Sequence, residues 1–349
     1  MRSSDLRGHL APEVLNEGTA RLGQVPRLSI VIPSYRRPDL VRKCLASLRP
    51  AIDRCADDVE VVVVDDGSGD GAATNLAAEH PWALFVNLPV NLGYAGAVNV
   101  GLGVAAGEWL FTLNNDTTVD QNVLSSLLTT ARGSNDVGHL AAQQRFDHDR
   151  DRLCSAGLVL DRMGVNAERL IGQPIEASEM SPVEVFGACG GAAVYRRRMV
   201  EDLGGLDETF VFGLEDADLA WRAQMRGWRC LYVPDAVVFH EYGATVAHGT
   251  DLRFLQAGRN RIRLILKNAT PGMLVRYGLM MVAYDVAYVL YTVAVHRTLM
   301  PLRGRLEVLR DWRRVRASGA SGRRPIALAP AQGIRAAMRR RRAWLRMEP

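Results

Sequence analysis

Three acids crowd one short stretch of the chain. Glu215, Asp216 and Asp218 stand at the start of a segment in which Leu214, Ala217, Trp221 and Met225 recur at helical spacing before Gly227 ends it. A carboxylate held at a helix start can take the proton from an incoming hydroxyl, a role worth roughly 10²–10⁴ in rate. Complementarity to the helix dipole accounts for one or two acids there more comfortably than for three, so all three are candidates for a base. Asp116 and His240 are suitable ligands for Mg2+ or Mn2+, because such an ion needs few protein donors when a diphosphate and water fill the other positions. Tyr35 and Asp65 make a third set: an aromatic face for a nucleobase, and a carboxylate that accepts from a base N–H or a ribose hydroxyl.

The elements that must position these groups follow from apolar runs. Residues 28–32 read as a buried strand closed by Pro33, and a helix then starts at Pro38 and is stopped by Pro50. Residues 59–64 make a second strand, with helix near 72–79, strands at 84–88 and 109–113, and a helix over 95–105 between those two. Strands alternating with helices imply a parallel sheet with helices on both faces and a ligand crevice beyond the strands' carboxyl ends. Ser34 and Tyr35 follow the first strand, Asp65 and Asp66 the second, Asn91 and Gly93 the third, and Asn114, Asn115 and Asp116 the fourth. Each cluster alone reads as a turn; four together point to a ligand site. Residues 130–195 are less regular, with apolar pieces at 157–160 and 192–195, and Gly190 and Gly191 form either a close-approach loop or a plain turn. Strands at 230–233 and 236–239 lead to His240, Glu241, Tyr242 and Gly243.

With 349 residues, 48% of them hydrophobic and 23% charged, the chain can bury a core, which excludes low-complexity and wholly disordered classes. The five cysteines contain no C-x-x-C pair, so neither a disulfide framework nor a zinc site is read from them; a reducing compartment fits. Residues 1–26 carry acids and no apolar run and are expected to be a mobile leader. Net charge is +5, but residues 303–349 hold 14 Arg against Glu307, Asp311 and Glu348, leaving the remainder acidic. That polarity suits a soluble domain with a tail that seeks an anionic membrane surface, and no nucleic-acid recognition motif accompanies the arginines. Residues 277–295 are nearly all apolar, yet Asp285 stands near their centre, where an acid costs about 2.5–3.5 kcal/mol in a bilayer. A helix packed on the domain or lying in the interface is preferred to a span. Leu306, Leu309, Trp312 and Val315 form an apolar stripe flanked by Arg305, Arg310, Arg313, Arg314 and Arg316, and Ile334, Met338 and Leu345 repeat the design beside the arginines of residues 339–342.

Gly67, Gly69, Gly71 and Ala72 formally fit a dinucleotide fingerprint after a strand, but two acids precede the glycines and no ribose-binding acid follows. The ordered series IVIPSYRRPDLVRKCLASL, VVVVDDGSGD, NLGYAGAVNVGL, GEWLFTLNND, YRRRMVEDLGGLDETF, GLEDADLAWRAQMRGW and YVPDAVVFHEYG instead resembles the family 2 inverting glycosyltransferases of the GT-A fold, in the branch with bacterial rhamnosyltransferases. The resemblance covers about residues 27–245 and implies an α/β GT-A domain there, with a Rossmann-like mixed sheet flanked by helices; residues 246–349, outside it, are read from their own apolar and arginine pattern as a C-terminal helical, basic membrane-associating region. It implies that Pro33 and Tyr35 line the base pocket, that Asp65 binds the pyrimidine ring and ribose, and that Asn91, Gly93 and Asn114 belong to the nucleotide-sugar site. Asn115 would touch ribose or phosphate, Asp116 is the sole carboxylate of the metal motif, and His240 completes coordination of Mn2+ or Mg2+. Asp216 matches the general base, with Glu215 and Asp218 supporting it. The expected partners are a dTDP- or UDP-linked sugar, L-rhamnose by preference, and a glycolipid or polysaccharide acceptor at the inner face of the cell membrane. A sugar-1-phosphate nucleotidyltransferase and an inactive sugar-nucleotide-binding scaffold are the alternatives. The first would want a glycine-rich triphosphate loop after the first strand, where Arg36 and Arg37 stand without glycines.

Overall fold

The computed structural model describes residues 12–16, 18, 26–241, 250–319, 324 and 326–331. Tyr242, Gly243, the 245/246 boundary and the tail arginines of residues 339–342, with Ile334, Met338 and Leu345, lie outside the described residues. In chain order the strands are β1 (Glu13–Val14), β2 (Leu28–Ser34), β3 (Val59–Asp65), β4 (Leu84–Asn87), β5 (Trp109–Leu113), β6 (Thr117–Val119), β7 (Val137–Phe146), β8 (Leu153–Ser155), β9 (Leu158–Leu160), β10 (Asn166–Glu168), β11 (Val183–Val185), β12 (Ala192–Arg196) and β13 (Arg229–His240). The helices are α1 (Pro38–Arg54), α2 (Ala72–Glu79), α3 (Gly93–Val104), α4 (Val123–Ala131), α5 (Arg197–Leu203), α6 (Glu215–Arg226), α7 (Asp251–Asn268), α8 (Pro271–His296), α9 (Met300–Arg310) and α10 (Trp312–Ala317).

The main sheet runs β1-β4-β3-β2-β5-β12-β7-β13-β11. Its first half matches the expected alternation: β4, β3, β2 and β5 are parallel, and their valines, isoleucines and leucines are buried on both faces. Beyond β5 the sheet is mixed. β12 inserts antiparallel between β5 and β7, pairing Ala192 with Leu113 and Ala193 with Ala141. The predicted strands at 230–233 and 236–239 are one strand, β13, broken only by a register shift between Val233 and Val237.

Two expectations are corrected here. Pro50 does not stop its helix: α1 continues to Arg54, because the buried face of Leu45, Leu48 and Ala51 outweighs the one backbone hydrogen bond that proline removes. Residues 1–26 are not wholly a free leader either, since Glu13 and Val14 pair antiparallel with Asn87 and Val86 and add an edge strand. Asn16 secures it, its side chain donating to Ala83 O (2.9 Å) and accepting from Phe85 N (2.9 Å).

The C-terminal helices build a layer against α6. Leu264, Ile265 and Met281 pack with Trp221, Phe210 and Leu158 in one buried cluster. α8 is, among the described residues, the one helix long and apolar enough to cross a membrane. Asp285 explains how it sits: it accepts from Arg261 Nε (2.9 Å) and Arg305 Nη2 (2.6 Å), so the acid faces the protein and is neutralised there. Met281, Tyr284, Tyr288 and Thr292 are buried on that face, while Val275, Leu279, Val282, Val286, Leu290 and Val293 line an exposed stripe on the other. Arg305 and Arg316 do not flank a free stripe as expected. Arg305 is buried on Asp285, and Arg316 donates to the carbonyls of Leu266 and Ala269.

Candidate active site

Asp116 and His240 are brought together by register. β6 begins one residue after Asp116 and pairs antiparallel with the end of β13, setting Thr117 opposite His240, and Glu241 N donates to Asp116 O (2.9 Å). The two side chains, both nearly buried, meet with His240 Nε2 3.1 Å from Asp116 Oδ1. Burial pushes the Asp116 carboxyl up, but the His240 charge and hydrogen bond, with Arg37 adding its own charge, hold it below the usual range. Ligands about 2.1 Å from an Mg2+ ion and at right angles stand about 3 Å apart, which is the separation found here. Among the described residues no group of three or more His, Cys, Asp or Glu is arranged around a metal. The pair therefore fits two adjacent positions on a divalent ion whose other ligands would come from a diphosphate and water.

Asp216 arrives from the other half. Its Oδ2 accepts from Gly190 N (2.9 Å) and its Oδ1 from Ala217 N (2.7 Å). Tyr94 donates to Gly190 O (2.8 Å), and Gly191 O accepts from Asn114 N (3.0 Å), so the two glycines form the joint between the base candidate and the metal motif. They are the close-approach loop rather than a plain turn: a Cβ on Gly191 would stand 2.7 Å from the Gln144 amide oxygen and 3.1 Å from the His240 ring. Burial raises the Asp216 carboxyl, and it raises neighbouring Glu215 to about 8, with the Asp216 charge adding to the shift. Burial thus disfavours the charged form of both adjacent acids, as at a site built to take up protons.

Asp218 does not join them. It is fully buried, accepting from Arg222 Nε (2.8 Å), Lys267 Nζ (2.8 Å) and Asn268 Nδ2 (2.8 Å), and it ties α6 to α7. With every approach taken by a donor it cannot receive a proton from a substrate. Its part is to support the helix.

The nucleotide side is assembled at the ends of β2, β3 and β5. Asp65 accepts from Ser68 N (3.0 Å) and Ser68 Oγ (2.5 Å) and lines a small hollow with Ser34, Arg36, Arg37 and Phe85. Pro33 is buried in β2, and half-buried Tyr35 carries the Arg36 guanidinium 5.0 Å above its ring. Asn115 donates to Ser34 Oγ (3.2 Å), while the Asn114 side chain is directed inward. Asn91 and Gly93 shape a turn. Asn91 Oδ1 accepts from Gly93 N (3.1 Å), and Gly93, at φ +76, lies where a Cβ would stand 3.1 Å from a Val211 methyl. Asp66 receives Leu92 N (2.7 Å), and burial lifts its carboxyl to about 6.

Sequence reasoning missed Glu168. It stands on β10 within electrostatic reach of Asp216, Arg253 and His240, and burial, with the Asp216 charge behind it, pushes its carboxyl up. Its segment had no periodicity, and a lone acid in an irregular stretch gives no signal.

A base candidate joined through Gly190 and Gly191 to two metal-type ligands, with the Asp65 hollow at the ends of the parallel strands, is the arrangement expected of a nucleotide-handling α/β protein. The chain belongs to glycosyl transferase family 2, whose model matches residues 29–204. It is therefore classed as a glycosyltransferase, and the nucleotidyltransferase alternative is set aside. Among curated relatives, an N-acetylglucosaminyltransferase of Rhizobium meliloti (strain 1021) is 27% identical over 226 residues, covering 61% of this chain and 51% of the relative. An N-acetylglucosaminyl-diphospho-decaprenol L-rhamnosyltransferase of Mycobacterium tuberculosis (strain ATCC 25618 / H37Rv) is 29% identical over 240 residues, covering 61% and 75%. The chain thus spans about half the length of the first of these. Among solved structures, the mannosyltransferase PcManGT of Pyrobaculum calidifontis, in complex with GDP-Man and Mn2+, matches with TM-score 0.52 and 19% identity over 85% of this chain and 84% of that one. S. aureus TarS 1-349 in complex with UDP-GlcNAc matches with TM-score 0.55 and 17% identity over 84% of each. At such identities the likeness is one of fold, and the fold is GT-A.

Proposed function

We propose that the protein is a metal-dependent, inverting glycosyltransferase that moves a sugar from a pyrimidine nucleotide to a hydroxyl of a lipid-linked or polysaccharide acceptor at the inner face of the membrane. The observation that carries this reading is the Gly190–Gly191 joint, which sets Asp216 and the Asp116–His240 pair on the two sides of one crevice. Tyr35 and Asp65 hold the base and ribose, Asn115 reaches ribose or phosphate, and Asp216 takes the acceptor's proton as its oxygen attacks the anomeric carbon. Glu215, buried beside Asp216, supports it as a neighbouring carboxyl. The bond to the nucleoside diphosphate breaks as the new one forms, so configuration inverts in a single step. Asp116 and His240 would hold Mn2+ or Mg2+, which would supply positive charge to the departing diphosphate when bound, and Arg37 adds its own. L-Rhamnose from a dTDP-linked donor is the preferred sugar, a choice supported by the mycobacterial relative, whose name also gives a diphospho-decaprenol acceptor.

The metal part is checked by calorimetry. Asp116→Ala and His240→Ala should each weaken Mn2+-dependent binding of a nucleoside diphosphate by roughly ten- to a hundredfold, since each removes a ligand from a site with few others. Unchanged binding in both variants would transfer the leaving group to Arg36 and Arg37.

The membrane part rests on the α8 stripe and the arginines of its segment. Leu279, Val282, Val286 and Leu290 of α8 are exposed, as are Leu306 and Trp312 after it, and Arg276, Arg297, Arg310, Arg313 and Arg314 of the same C-terminal segment are exposed too, a combination of apolar and cationic groups that suits an anionic bilayer surface. Because α9 is built into the fold through Gly304 against Leu255 and Arg305 on Asp285, deleting everything after residue 303 would damage the domain. The sharper test is Leu279→Glu with Val286→Glu. Flotation with anionic liposomes should fall steeply, and what remains should be more salt-sensitive because the arginines alone carry it, while nucleotide binding stays. Flotation equal to the unaltered protein would remove α8 from the contact.

A further inference from the structure

The segment leading into α6 is strained. Val211 has φ +64 and ψ −66, a γ-turn conformation rare for any residue and costly for a β-branched one, and Leu214 takes φ +70 at the N-cap of α6. Gly213 between them has φ +80. Phe212 N donates to Phe210 O (2.8 Å) and closes the γ-turn, and Val211 N donates to Glu208 O (3.1 Å), but these two bonds leave the positive φ at Val211 and Leu214 uncompensated, so contacts from outside the segment help to hold it.

One side chain supplies most of them. Asn260 of α7, 1% exposed, donates through Nδ2 to the carbonyls of Phe210 (2.9 Å), Phe212 (2.9 Å) and Gly213 (2.7 Å). Three acceptors around one nitrogen fix the orientation of the amide, because its oxygen in that place would face three carbonyl oxygens. From the opposite side the loop has only a long bond, Ala95 N to Val211 O at 3.4 Å. Asp216 follows the last clamped carbonyl by three residues. α7 lies beyond residues 29–204, so this support comes from outside the segment that the family model matches.

We propose that Asn260 is a positioning residue for sugar transfer: by clamping residues 210–213 in their strained form, it sets Asp216 against Gly190 without touching substrate. The proposal rests on Asp216 being the base. Asn260→Leu keeps the branched shape, with somewhat larger bulk, and removes the donors. Turnover should fall about 10- to 100-fold, the scale expected when a reacting group is misplaced by an ångström or so. KM for the nucleotide sugar and calorimetric affinity for the nucleotide should hold within about twofold, because Asp65, Asn115 and Asp116 are carried by other segments. Val211→Gly removes the strain that the clamp opposes. In the double variant the loss should therefore be at least about fivefold smaller than the product of the two single losses.

Wild-type turnover in Asn260→Leu, a matching rise in KM, or losses that simply multiply would overturn the proposal. Should Asn260→Leu fail to fold, Asn260→Ser, which keeps one donor, carries the same comparison against Val211→Gly. Failure of the base reading is seen separately: there Asp216→Asn stays active, whatever the Asn260 variants do.

Discussion

Asp216→Asn should lower sugar transfer by at least about 10²-fold while nucleotide and metal binding persist. The amide has nearly the shape of the carboxylate but cannot accept the acceptor's proton, and its single oxygen can keep the hydrogen bond from Gly190 or from Ala217 but not both. The pH profile adds a second readout. Burial raises the folded carboxyls of Asp216 and Glu215 above their ordinary values, so wild-type transfer should decline as pH falls through the range where the pair takes up protons. The variant should lose that dependence along with its rate. The same shift has a sign for stability. Burial and the Asp216 charge raise Glu215 well above the ordinary glutamate value, so between its unfolded and folded values the native state binds more protons and folding stability falls as pH rises. Full activity in Asp216→Asn, with Glu215→Gln inactive, would move the base by one residue.

Asp218→Ala should cost about 3–5 kcal/mol of stability, the range for leaving buried charges without their partner. Lys267 and Arg222 are 6% and 7% exposed and converge on this carboxylate. Lys267 keeps Asp207 at 2.7 Å, and Arg222 keeps the carbonyls of Leu203 and Gly205, which places the expectation toward the lower end. Urea denaturation should show the drop with little change in slope. A loss under about 1 kcal/mol, as at an exposed pair, combined with abolished transfer would return Asp218 to the chemistry.

The parts of the fold that were legible in the sequence are those with a strong period. β2, β3 and β5 are dominantly apolar runs interrupted only by Ser29, Glu60 and Thr112 before the polar residues at or just after their ends, and α6 carries a clear 3.6-residue stripe between a cluster of acids and a left-handed Gly227. The polar groups after each strand were legible because a parallel sheet sends them all to one edge. What was not legible depends on distant pairing. β12 enters the sheet antiparallel beside β5 across a separation of nearly eighty residues, and no local pattern encodes that. Asp218 looked like its neighbours until Lys267 and Asn268 arrived from α7. Asp285, which sequence alone made an obstacle to an apolar helix, became its anchor once Arg261 and Arg305 were opposite. Asn260 and Glu168 are single polar residues whose meaning lies only in what surrounds them.

The central claim is that this crevice transfers sugars from nucleotides. The direct measurement is release of nucleoside diphosphate from a panel of dTDP-, UDP- and GDP-sugars, with Mn2+ or Mg2+ and again with a chelator. The panel is offered to the full chain together with a lipid-linked acceptor analogue. Turnover confined to a pyrimidine-linked donor, abolished by chelation and by Asp216→Asn, is the predicted result. No release from any donor in the presence of metal and acceptor, or release that survives both chelation and Asp216→Asn, would contradict it.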